Sequence, residues 1–181
     1  YRVSSGLSRP DYFDWPQHMI DELVSFDPDA TVVVFGANDG QDVMYEGKVL
    51  KEGSKAWQRV YRERIGAAMD ILARNSRRVY WVGNPVMRDG GYSDRIALMN
   101  GLYEAEAQHH AGVIYIGTWD LLADEEGDYV EYFREADGDL VLVRGADGIH
   151  LTRAGGDRVA ASVLNVILKD WGISAPSPVT D

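Results

Sequence analysis

Residues 31–40, "TVVVFGANDG", decide the fold. Five β-branched or aromatic residues run from Thr31 to Phe35 without alternation, and then Gly36, Ala37, Asn38, Asp39 and Gly40 break the pattern. A short unbroken apolar run closed by turn formers reads as a strand buried on both faces, the kind found in parallel sheets. Two further runs share this character, "RVYWVGNP" at 78–85 and "GVIYIGTW" at 112–119. Helical patterns lie around them at 15–26, 54–75, 93–111 and 152–172. In the second of these, Trp57, Val60, Tyr61, Ile65, Ala68, Met69 and Leu72 fall on one stripe. Thr152 suits the N-cap of the last helix and Gly172 its C-cap. Strands alternating with helices of this length predict right-handed βαβ units and an α/β fold with a mostly parallel sheet. The segment 128–145 instead alternates and carries an Asp-Gly turn, so it predicts a hairpin or flap ahead of the last helix.

Composition narrows the class. The chain has 181 residues, 45% hydrophobic and 26% charged, which suits one globular domain, expected over 1–173 with a flexible tail at 174–181. A net charge of −11 argues against nucleic acid as a partner, because phosphate binding needs clustered Lys and Arg. No apolar run approaches the roughly 20 residues of a membrane span. With no cysteine, a thiol nucleophile and a thiolate metal site are both excluded.

In open parallel sheets, function gathers beyond the carboxyl ends of the strands. Those exits here are "GANDGQD", "GNPVMRDGG" and "GTWDLLADEEGD", and "VSSGLSRPDYFDW" near the start reads as another. Asn38 could donate its amide to a developing oxyanion, or it could simply shape the turn. A calcium loop fails, because aligning Gly40 with the loop glycine puts Phe35 at the first ligand position. Asp147 and His150 sit three apart in "RGADGIHLTRAGG", residues 144–156. At that spacing a carboxylate can hold the imidazole Nδ1–H and leave the other ring nitrogen as a general base. A plain Asp-Gly turn beside a locally bonded histidine fits the same letters.

Taken together, Gly36-Ala37-Asn38-Asp39 and Asp147-Gly148-Ile149-His150 resemble the GxND and DxxH blocks of the SGNH (GDSL) hydrolase superfamily, as an uncharacterised bacterial branch of it. Gly6 matches the lone oxyanion glycine of a further block, and the likeness runs from about residue 3 to about residue 172. It implies a three-layer α/β/α sandwich of flavodoxin-like type. It also implies a serine-dependent acyl ester hydrolase or O-acyltransferase. Asp147 and His150 would then be catalytic, and Gly6 and Asn38 would bind the oxyanion. Asp39 would brace its loop. No metal or organic cofactor is required, and the substrate would be a small-molecule or saccharide ester. The family's Gly-Asp-Ser block, which carries the nucleophile, is absent from these residues. It is expected upstream of Tyr1 with a first strand, and the chain alone would then be nearly inert. Ser4 and Ser5 are disfavoured substitutes. The alternative is a non-catalytic carbohydrate- or envelope-binding module on the same fold. Relatives of this kind suggest an extracytoplasmic or membrane-associated setting, with a membrane tether or fused membrane domain upstream; the alternative is a cytoplasmic setting.

Among the remaining residues, Trp15, Trp119, Tyr45, Tyr92, Tyr129 and Tyr132 could line an acyl or sugar pocket or merely pack the flap. Arg88 could meet an anionic group or face solvent. His109 and His110 suit a helix C-terminus, and 123–128 reads as a solvated acidic loop.

Overall fold

The computed structural model describes residues 2–136 and 138–174. The chain divides into two compact units, Tyr1–Tyr129 and Val130–Asp181. The tail expected at 174–181 lies, from position 175 on, outside the described residues.

The first unit is a mixed α/β structure. Its helices are α1 (Trp15–Phe26), α2 (Lys55–Leu72) and α3 (Gly90–Ala107). Each begins at a side-chain cap: Asp14 accepts from Gln17 N–H, Ser54 from Trp57 N–H and Asp89 from Tyr92 N–H. The strands are β1 (Ala30–Val34), β2 (Val43–Tyr45), β3 (Lys48–Leu50), β4 (Arg78–Val82) and β5 (Val113–Ile116). β1, β4 and β5 form a parallel sheet in that order, with Val32 opposite Tyr80 and Tyr80 opposite Ile114. Helix α2 turns Trp57, Tyr61, Ile65, Met69 and Leu72 into the core and packs against β4, while α3 packs against β5.

β4, in the middle of the sheet, is buried from Val79 to Val82, as an unbroken apolar run predicts. β1 departs from that expectation. Val33 is buried, but Val32 and Val34 are 49% and 63% exposed. The strand lies at the sheet edge, and its inward face, continued by Phe35 against Trp15 and Trp81, is the one that is covered. A groove of about 610 Å³ runs along this exposed side, between β1 and α1.

β2 and β3 form a hairpin, with Glu46 and Gly47 at its tip. Both tip residues have positive φ, as a type I′ turn requires.

In the second unit, β6 (Tyr132–Arg134) and β7 (Leu140–Leu142) pair antiparallel, the hairpin anticipated over 128–145. Asp137 of the anticipated Asp-Gly turn lies outside the described residues. Helix α4 (Arg153–Asp170) follows, capped by Thr152 and followed by Gly172 at φ 62°. Its first turn lies hard on the strand exit: a Cβ at Gly155 would stand 2.1 Å from the Val143 carbonyl oxygen, so only glycine fits. Arg158 stacks on the Phe133 ring at 3.6 Å and pairs with Glu135 at 2.9 Å, which ties the hairpin to the helix.

Candidate functional site

In the first unit, the loop after β1 meets the loop that carries Gly6. Asp39 is the joint between them, and it is fully buried. Its Oδ1 accepts from Ser8 N–H at 2.6 Å, its Oδ2 accepts from the Tyr61 hydroxyl at 2.9 Å, and its carbonyl accepts from the Ser8 hydroxyl at 2.7 Å. Tyr61 in turn shares a hydrogen bond with Tyr103 at 2.6 Å. Arg64 donates to the Leu7 and Ser8 carbonyls, so the loop is held on both sides. Burial pushes the Asp39 carboxyl above the usual carboxylate range, and its hydrogen bonds oppose that only in part. Gly6 is forced by this arrangement, since a Cβ there would lie 2.2 Å from Asp39 Oδ1. Asn38 is exposed beside the joint, and its amide donates to the Ser5 carbonyl at 3.4 Å. That contact, at the long limit for a hydrogen bond, engages only one of the two amide hydrogens.

A second buried polar set fixes the strand ends beneath the loop. Asn84 donates to the Phe35 carbonyl at 2.6 Å and exchanges two bonds with Asn100, while Thr118 donates to the Gly83 carbonyl. Gly36 has φ 129°, and any Cβ there would strike the Asn84 amide at 2.3 Å. Tyr92 donates to the Ala37 carbonyl from the start of α3. These bonds clamp the exits of β1, β4 and β5 together and hold Asn38 at the carboxyl edge of the sheet.

In the second unit, Asp147 and His150 share one turn. The His150 Nδ1 atom lies 2.6 Å from Asp147 Oδ2, and both side chains face solvent. Asp147 Oδ1 also accepts from the Ile149 and His150 N–H groups at 2.8 and 3.0 Å. The His150 ring first, and then those two amides, hold the Asp147 carboxyl well below the usual carboxylate range. With Nδ1–H donated to the carboxylate, Nε2 is the basic nitrogen. The turn closes through Gly148 at φ 73° and a Gly145 N–H bond to the His150 carbonyl at 2.7 Å. Beneath it lies Arg144, fully buried, donating from Nη2 to the carbonyls of Gly148 and Ile149 at 3.2 and 3.0 Å.

Gly6 and Asn38 thus belong to the first unit, and Asp147 and His150 to the second. The polar residues that shape their loops, Tyr61, Tyr103, Asn84, Asn100 and Arg144, are not legible as such from sequence. Each reads as an ordinary helix, strand or loop letter until burial is known. Ser5 is buried, with its hydroxyl donating to the Arg2 carbonyl and accepting from the Trp15 indole. Arg88 packs over the Tyr129 ring and bonds its hydroxyl. The Trp119 indole donates to the Gly127 carbonyl. His110 lies beyond the end of α3 and pairs with Asp70 and Glu106. Among the described residues, no group of three or more His, Cys, Asp or Glu is placed to hold a metal ion, and no helix is long and apolar enough to cross a membrane.

A solved structure from Streptococcus pneumonia, described provisionally as a platelet activating factor, shares the fold with a TM-score of 0.56. The match has 18% identity and spans 86% of this chain and 67% of the other. No curated protein matches. Residues 1–166 match a family described as protein of unknown function, DUF459, and the chain belongs to that family.

Proposed function

We propose that this protein is an acyl ester hydrolase or O-acyltransferase of SGNH type, built on a three-layer α/β/α sandwich. The observation that carries this reading is the Asp147–His150 pair. A carboxylate 2.6 Å from Nδ1 fixes one tautomer and leaves Nε2 as base. The Gly6–Asn38 cradle, held by Asp39, adds support, as does the name borne by the streptococcal neighbour.

In this reading a serine upstream of Tyr1 attacks the acyl carbonyl carbon, and His150 Nε2 takes its proton. The oxygen that becomes negative accepts from Gly6 N–H and the Asn38 amide, each donor worth about 3 kcal/mol of barrier. As the tetrahedral intermediate collapses, imidazolium returns the proton to the leaving alcohol, and an acyl-serine remains. Water or a sugar hydroxyl then attacks that ester by the same route. Asp147 stays ionised throughout and stabilises the imidazolium.

A fluorophosphonate probe tests this reading on the protein with its upstream residues present. Covalent labelling of one serine, lost in His150→Ala, is the expected outcome. An intact protein that takes up no label under conditions that label a control esterase refutes it.

A further inference from the structure

The buried guanidinium of Arg144 has no part in the chemistry just described. A cation taken fully out of water is destabilising unless its surroundings compensate it. Here two carbonyls of the Asp147–His150 turn lie on it, and the pattern of bonds around them is specific.

The peptide joining Gly148 to Ile149 gives its carbonyl to Arg144 Nη2 at 3.2 Å and its N–H to Asp147 Oδ1 at 2.8 Å. The peptide joining Ile149 to His150 does the same, at 3.0 Å on both sides. Two consecutive peptide groups are therefore strung between a buried cation and an exposed carboxylate. Hydrogen bonds arranged in series polarise one another, so each carbonyl drawn toward the guanidinium makes its N–H a stronger donor to Asp147. Asp147 then presents its second oxygen to His150 Nδ1 at 2.6 Å. The turn is anchored from behind, since Arg144 bridges to Leu151 as an antiparallel pair and Thr152 N–H bonds the Val143 carbonyl.

From this we infer that Arg144 is a positioning residue for the Asp147–His150 pair, holding through two peptide groups the carboxylate that selects the imidazole tautomer. The inference rests on the reading of His150 as a general base. Both bonds leave one nitrogen, Nη2, at the tip of a rigid planar head, and a lysine replaces it only in part because its ammonium is a compact point charge on a flexible stem with a different reach.

The 15N shifts of the two His150 ring nitrogens, measured at a pH where the ring is neutral, read the tautomer directly. In the wild-type chain Nδ1 carries the proton, and the two shifts stand far apart. Asp147→Asn sets the scale of complete loss. Arg144→Met is expected to bring the two shifts together, toward a mixture of tautomers, and Arg144→Lys to move them part of the way. Wild-type shifts in a folded Arg144→Met protein overturn the inference. If that variant does not fold, wild-type shifts in Arg144→Lys overturn it. Unfolding of both variants also counts against it, because Arg144 would then hold the whole unit rather than the turn. This readout needs no substrate. An intact protein without ester chemistry would sink the functional reading and leave the tautomer result standing, while unmoved shifts in an active enzyme would sink only the role of Arg144.

Discussion

Replacing Gly6 with alanine probes the joint between the two loops of the first unit. The added methyl carbon would meet Asp39 Oδ1 at 2.2 Å, Cγ at 2.6 Å and Oδ2 at 2.8 Å. Ordinary contact begins near 3.4 Å, so the carboxylate must retreat by about 1 Å. It is poorly able to do so. Ser8 N–H and the Tyr61 hydroxyl hold its two oxygens, and the residue is wholly enclosed. Overpacking of this kind costs about 1–3 kcal/mol, and weakening a hydrogen bond to a buried charge adds about 1.5–3 kcal/mol. For a chain of this size, each kcal/mol moves Tm by about 2–4 °C, so Gly6→Ala should melt roughly 5–20 °C below wild type. Circular dichroism at 222 nm measures the shift. Gly101→Ala is the matched control, because a Cβ there meets nothing within 4 Å and alanine favours the middle of α3. It should raise Tm slightly. A Gly6→Ala protein melting within a degree of wild type would refute the account of the joint.

The two carboxylates should respond to pH with opposite signs. Asp39 has a raised pKa in the fold, so its unfolded form gives up the proton first, and it subtracts stability as pH rises from about 4 through the folded value. Thermal melts of Asp39→Asn against wild type should therefore grow more favourable to the variant between pH 4 and pH 8, and a constant difference would contradict this. Asp147 is depressed instead, so its contribution is complete above about pH 4 and is lost as pH falls through the folded value. Asp147→Asn should flatten the acid limb of the stability curve, and an unchanged limb would count against the pairing. Thr152→Ala removes the cap of α4, where the hydroxyl accepts from Gly155 N–H and donates to the Leu142 carbonyl. It should cost about 1 kcal/mol or somewhat more in urea unfolding, and a shift under 0.3 kcal/mol would rule the cap out as a source of stability.

Strand and helix periodicity made the parallel sheet legible, because β4 and its flanking helices follow patterns that burial alone imposes. Asp14, Ser54, Asp89 and Thr152 stand at helix starts for reasons visible in sequence, since each has a side-chain oxygen able to reach a free backbone N–H. The β2–β3 hairpin is absent from the sequence expectation, although the Glu-Gly pair between "VMY" and "KVL" is a signal for it. The run of valines predicts a β1 buried on both faces, because it does not say which strand lies at an edge. For the candidate site, the short spacing from Asp147 to His150 suggested the contact, and the distance between the atoms needed coordinates. Nothing in "LVLVRG" separates a buried arginine from an exposed one. Its burial is met by the carbonyls of Gly148 and Ile149, which turn inward onto it in a way that letters do not express. Asp39 reads in letters as one more turn aspartate; its bracing role came only from the family resemblance, and its partners Ser8 and Tyr61 lie 31 and 22 residues away along the chain.

The central claim is that His150 acts as the base of an acyl-transfer site. Turnover of p-nitrophenyl acetate by the protein with its upstream residues, compared between wild type and His150→Ala, tests it most directly. The account predicts measurable turnover in the wild type and a loss of at least about a thousandfold in kcat/KM for the variant. Equal turnover by the two proteins would contradict it.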